Sequence, residues 1–194
     1  MSNGDKIILH LFADMGTDSK PYEDAGYSVL CVGELIGVEN YEPPGNVYGI
    51  IANIPCTNFA GSGAQYWGVK DKDGRTLNAT KLISHCLKII ALCKPRFWVI
   101  ENPVGRMKQW LGNPVMYYQP WEYGDQYTKK TCLWGVFNKP KKNIVVPVSN
   151  SNQGNKISCP VINGKKIGWH TREAKKLRSI CPPGFAQAFY EANQ

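Results

Sequence analysis

The sequence has no apolar run approaching the roughly 18 residues that a membrane-spanning helix requires. Its first residues, Met1 to Lys6, lack the charged and apolar regions of a secretory signal. It contains neither an internal repeat nor a long low-complexity tract. The seven cysteines show no repeated short spacing, which argues against a disulfide framework and against a zinc ribbon. These absences give the expectation of a soluble, reduced, cytoplasmic protein with no membrane partner and no metal. Acid is scarce in one region. Between Lys129 and Arg178 twelve Lys or Arg residues stand against a single acid, Glu173, in a chain whose formal net charge is +8. That asymmetry points to a polyanion, with nucleic acid as the first partner and a nucleotide phosphate as the second. Lys139, Lys141, Lys142, Lys165, Lys166 and Arg172 are the candidate contacts; a solvated lysine-rich face is the plain alternative.

What is present is ordinary globular material: 194 residues, 43% hydrophobic and 20% charged, enough for one domain with a real core. Ile7 to Phe12, Tyr27 to Val32, Val47 to Asn53 and Arg96 to Ile100 read as strands. A helix is expected over residues 19–25, with Pro21 in its first turn. A second is expected from Leu77 to Cys93, with Leu82, Cys86, Ile89, Ile90 and Cys93 on one face. Residues 55–75 read as a glycine-containing loop, Asn163-Gly164 as a hairpin turn, and residues 184–193 as a final helix. Alternation of strands and helices predicts an α/β domain with a mostly parallel central sheet, its ligands at the carboxyl edge. The expected division is a catalytic domain over 1–138, a small basic insert over 139–177 and a returning helix over 178–194.

Three polar stretches stand at strand ends. Phe12-Ala13-Asp14-Met15-Gly16 is a small-residue turn that lets a cofactor approach the backbone, or an ordinary strand–helix turn. Pro55-Cys56 places a cysteine just past a strand, where it is either an exposed nucleophile or an inert small residue. Glu101-Asn102-Pro103 sets a carboxylate beside a buried strand, a costly placement without a task or a partner. Desolvation there raises a carboxyl pKa and suits a neutral acid that hydrogen-bonds a ring nitrogen; the alternative is a helix cap.

In this order the three stretches resemble the motifs of the DNA cytosine-5 methyltransferase family. Leu11 to Gly16 is similar to its AdoMet-binding turn, Pro55-Cys56 to its nucleophile loop, and Glu101-Asn102-Pro103-Val104 to its Glu-Asn motif. Tyr123 to Thr131 is more loosely similar to its Gln-and-basic motif. Short, phage-associated members carry similar Glu-Asn-Pro-Val-Gly-Arg and Tyr-Thr-Lys-Lys-Thr-Cys-Leu-Trp-Gly stretches. The resemblance covers residues 7–138 and, more loosely, the tail from Arg178 to Asn193.

It implies a Rossmann-like AdoMet-dependent methyltransferase fold. It further implies a DNA (cytosine-5)-methyltransferase in which Cys56 adds to cytosine C6, Glu101 engages N3 and Asn102 holds the loop. Lys129 or Lys130 would touch O2. Phe12 would pack on the adenine of S-adenosyl-L-methionine and Glu34 would bind its ribose, with Asp14, Gly16 and Pro55 around it. The Gly61–Gly74 loop would form a lid. The sequence departs from the pattern at Asp14, where the family has glycine, and at Lys129-Lys130, where it has arginines. Two other readings stay open: an enzyme modifying a cytosine mononucleotide, and a nucleic-acid-binding decoy that keeps the fold without the chemistry.

Overall fold

The computed structural model describes residues 2–13, 16–33, 37–147, 161–162, 165–166, 168, 171, 173–174 and 179–194. A six-stranded sheet is built from β1 (Ile7–Leu11), β2 (Ser28–Val32), β3 (Val47–Ala52), β4 (Phe97–Pro103), β5 (Met116–Tyr118) and β6 (Thr131–Val136), in the order β2-β1-β3-β4-β6-β5. The first four in that order are parallel, and β6 runs antiparallel to both β4 and β5. The sheet is therefore mostly parallel, as expected, and mixed only through β6, which runs against the other five strands. β1 sits between β2 and β3, so the strand order reverses around it. A crevice opens at the carboxyl ends of such a switch point.

Each face of the sheet is covered. On one face lies α3 (Arg75–Cys93), which buries Ala79, Ile83, Cys86 and Ile90 with Leu9, Leu11, Ile50 and Ile100. The expected face was rotated slightly: Leu82 and Cys93 are only half-buried. The other face holds α1 (Lys20–Asp24) and the C-terminal α5 (Pro183–Ala192). There Phe185 stacks on Tyr118 with centroids 3.7 Å apart, and Tyr22, Phe97 and Phe189 complete the cluster. Large aromatic side chains dominate this layer because each buries 150–250 Å².

Sequence reading missed β5 and β6 and ended β4 too early. Glu101, Asn102 and Pro103 are paired opposite Leu133, Cys132 and Thr131. The expected loop over 55–75 is largely helical, with 3₁₀ turns at Cys56–Asn58 and Gly61–Tyr66 followed by α2 (Trp67–Lys72). α4 (Lys108–Leu111) follows β4. The expected Asn163-Gly164 turn lies outside the described residues, but the flanking β7 (Val161–Ile162) and β8 (Lys165–Lys166) pair antiparallel. Among the described residues no helix is long and apolar enough to cross a membrane.

Candidate active site

At the carboxyl edge of β3 the chain turns through Pro55 into the 3₁₀ turn that carries Cys56, and both residues are exposed. Beside it, β4 delivers two polar side chains to opposite faces. Asn102, fully buried, donates from Nδ2 to the carbonyl of Ile54 at 2.6 Å, fastening the approach to Cys56 onto β4. Its Oδ1 is buried without a partner among the described residues. Glu101 points to the α5 side, and burial raises its pKa from the ordinary carboxylate value. Lys129 opposes that rise, Asp18 adds to it, and a hydrogen bond from Asn53 opposes it.

A polar chain crosses the sheet to reach this acid. Ser19 Oγ lies 2.8 Å from His10 Nδ1, and His10 Nε2 lies 2.7 Å from Asn53 Oδ1. Asn53 Nδ2 then donates to Asp18 Oδ1 at 3.2 Å and to Glu101 Oε2 at 3.4 Å. With the Asn53 oxygen as acceptor, the hydrogen of that bond sits on His10 Nε2. His10 is thus a buried polar residue, 1% exposed, on a strand that is otherwise apolar, and it is fully partnered. Sequence reading passed over His10, Asp18 and Ser19; a histidine interrupting the run Ile-Ile-Leu-His-Leu was the available signal.

Glu101 and Asp18 line a narrow cleft with Leu133, Cys181 and Phe185, a cavity of about 10 Å³, room for about one water. Cys56 does not line it. The chain at Ile180–Cys181 borders this cleft: Lys129 Nζ donates to the Ile180 carbonyl at 3.2 Å, and the Cys181 amide donates to Thr17 Oγ1 at 3.0 Å. The two candidate lysines therefore part company. Lys129 acts on Glu101, whereas Lys130 lies over the ring of Tyr117, 5.2 Å from its centroid.

The segment after Cys56 is clamped by Arg106, which is 5% exposed. Its Nε donates to the Asn58 carbonyl at 2.9 Å, one terminal nitrogen to Asp71 at 2.8 and 3.0 Å, and the other to Thr76 Oγ1 at 2.7 Å. The rings of Trp67 and Trp110 flank the guanidinium at 4.9 and 5.8 Å. Lys70, also buried, donates to the Thr57 carbonyl at 2.5 Å. Gly105 makes the closeness of the two loops possible, since a Cβ there would stand 1.9 Å from the Phe59 carbonyl oxygen. The expected lid is thus a set of short helices tied to both loops.

Of the cofactor candidates, Phe12 is half-buried at the end of β1 with a φ of 60°, and Gly16 has a φ of 65°. Asp14 and Glu34 lie outside the described residues. Lys139 and Lys141 are exposed, and Lys142 pairs with Glu122 at 2.5 Å. Arg172 and the side chains of Lys165 and Lys166 are outside the described set. A roomier cavity of about 390 Å³ lies away from these residues, between the Val38–Gly45 segment and α3. Among the described residues no group of three or more His, Cys, Asp or Glu is placed to hold a metal.

No protein-family model matches the chain, and no curated protein matches it. Among solved structures, one similar chain is described as a candidate DNA modification methyltransferase encoded within a prophage (E. coli). It is 18% identical, with a TM-score of 0.44, covering 67% of this chain and 46% of that one. This chain spans less than half the length of that neighbour.

Proposed function

We propose that the protein is an AdoMet-dependent DNA (cytosine-5)-methyltransferase whose nucleophile is Cys56. One contact carries the reading: the Asn102 amide on the Ile54 carbonyl, which joins the turn bearing an exposed thiol to the strand end bearing a carboxyl of raised pKa. The order of the motifs along the sequence supports the same assignment.

The described residues at the end of β1 fit a nucleoside cofactor. Among the described residues a Cβ at Gly16 would meet only Cys31 Sγ, at 3.9 Å, so on that side its backbone is open to close approach, and Phe12 offers a half-buried ring. Phe12, Gly16 and Pro55 would hold the cofactor, with Asp14 and Glu34 proposed beside them. Bound there, S-adenosyl-L-methionine supplies an electrophilic methyl group for cytosine C5.

Cys56, as thiolate, forms the bond from Sγ to C6, and the displaced electron pair makes C5 nucleophilic. Glu101, whose proton is retained to higher pH than an ordinary carboxyl's, donates a hydrogen bond to N3 and offsets the charge arriving in the ring. Lys129 is assigned to O2, since it is the lysine that acts on Glu101. After loss of the C5 proton the S–C6 bond breaks and the thiolate returns. Because the cleft at Glu101 holds only about 10 Å³, a flipped base reaches it only after the Ile180–Cys181 chain moves aside. Extrusion from a duplex adds a few kcal/mol. Lys139, Lys141, Lys142, Lys165, Lys166 and Arg172 are proposed as phosphate contacts.

Two measurements on the full chain test this. Tritiated AdoMet and unmodified DNA should yield labelled 5-methyldeoxycytidine by nucleoside mass spectrometry. DNA containing 5-fluorocytosine, which has no C5 proton to lose, should remain bonded to the Cys56 peptide. Absence of both products overturns the reading.

A further inference from the structure

A surface next to Cys56 carries exposed aromatic rings and lysines without carboxylate partners, and nothing in the reaction above uses it. Tyr117 on the edge strand β5 is 45% exposed, and Trp110 on α4 is 40% exposed. Their placement on one side of the sheet follows from register and hydrogen bonding. Tyr117 is paired with Cys132, which is paired in turn with Asn102, so the three side chains share the α3 face. Trp134, on that same face, donates from Nε1 to the Gly112 carbonyl at 2.9 Å and so holds the end of α4 over the same strands.

Trp110 also touches the nucleophile turn. Its ring meets Phe59 edge-to-face with centroids 5.4 Å apart, and the Phe59 amide donates to the Cys56 carbonyl at 2.9 Å. At the other end of the surface Lys130 covers one face of Tyr117. Lys108 and Lys130 both act on the Cys132 thiol, pulling its pKa down against the rise caused by burial and by Glu101. Among the described residues neither lysine forms an ion pair.

We infer that this face, running from Cys56 along Trp110 to Tyr117 and Lys130, binds a single-stranded stretch of DNA. Flat rings accept any base by stacking, and unpaired lysines follow the phosphates. Such a combination suits a strand whose bases are already splayed, because bases inside a duplex offer no free π-face. The inference rests on the proposed reading only in naming the strand as the substrate, and gives that substrate an unpaired region beside the target cytosine. It differs from the phosphate contacts assigned above to the 139–172 segment in resting on the exposed rings of Trp110 and Tyr117.

The test is fluorescence anisotropy of the full chain with a labelled oligothymidylate and, separately, with a mixed-sequence duplex. Tyr117→Ala and Trp110→Ala should each weaken oligothymidylate binding roughly 5- to 150-fold, the range of one lost stack. Tyr117→Phe should retain it, and duplex affinity should change less than the single-strand affinity. Lys130→Gln should lower the salt slope by about 0.7. Thermal melts run in parallel show whether Trp110→Ala, which loses its contact with Phe59, still folds; Tyr117 is exposed and its variant keeps the test decisive. Oligothymidylate binding unchanged within twofold in Tyr117→Ala, or an equal loss for duplex, overturns the inference. The readout needs neither Cys56 nor cofactor, so Tyr117-dependent binding without methyl transfer would sustain this surface while the enzymatic reading alone fails.

Discussion

His10 Nε2 lies 2.7 Å from Asn53 Oδ1, and that bond turns the opposite end of the Asn53 amide toward Asp18 and Glu101. A buried histidine on β1 thereby sets the direction of a donor that serves the acid on β4, two strands away. The donor stabilises the ionised form of Glu101, whereas Asp18 works against it.

Asn53→Ala removes the donor and leaves the repulsion from Asp18 in place. The Glu101 carboxyl should then titrate at still higher pH than in the unaltered protein. The carboxyl stretching band followed by infrared difference spectroscopy across pH checks this, with Glu101→Gln as the blank. A shift toward lower pH would contradict the arrangement.

Glu101 also links pH to stability. Because burial raises its pKa, the folded chain holds this proton more tightly than the unfolded chain does. The stability that comes from it is complete below the ordinary carboxylate range and is lost as pH rises through the elevated value. Glutamine at this position stays neutral throughout. Melting curves at about pH 5 and about pH 8 should show Glu101→Gln gaining on the unaltered protein at the higher pH. A difference that does not vary with pH would sink this account.

Thiol reactivity should sort by burial. Burial pushes Cys86 up to about 12 and Cys132 up to about 11, and lifts Cys181 well above the thiol range, whereas Cys56 is exposed. Brief treatment with iodoacetamide at neutral pH should therefore label Cys56 ahead of the other three. Peptide mass spectrometry reads the order directly.

Arg106→Ala leaves the Asn58 carbonyl and the Thr76 hydroxyl without their buried donor. A stranded buried carbonyl costs about 1–3 kcal/mol, whereas the Thr76 hydroxyl keeps its hydrogen bond to Asp71. Arg106→Lys keeps the charge but not the planar fork, so it should recover only part of the loss. Urea denaturation gives both values. Protease nicking within residues 61–72 should rise in step, because only Lys70 then remains, among the described side chains, to tie that stretch to the turn after Cys56.

Much of the fold was legible because it rests on apolar runs bounded by turns. Ile7 to Leu11 and Val47 to Ala52 are buried on both faces and declare themselves as strands. β6 did not, since Thr-Cys-Leu-Trp-Gly-Val follows a lysine pair and contains a glycine, both of which read as a loop. The helical turns after Cys56 were hidden for another reason. Their sequence is rich in glycine and polar residues, and what holds them is the distant Arg106 and the buried Lys70 rather than local propensity. Cys56, Glu101 and Asn102 could be picked out as polar residues at strand ends. The Ser19–His10–Asn53 chain could not, because contacts between residues 9 and 43 positions apart leave no local pattern.

The connection between β5 and β6 has a wider consequence. Val145 is hydrogen-bonded to Trp121 and Ile180 to Lys129, and Trp121 and Lys129 both belong to that one connection. Val145 and Ile180 bracket the lysine-rich stretch, so both of its flanks are tied to the same connection. Chimeras that exchange residues 148–160 for a stretch of another length should fold with the sheet undisturbed, whereas an exchange that reaches the fully buried Ala174 should lower the melting temperature.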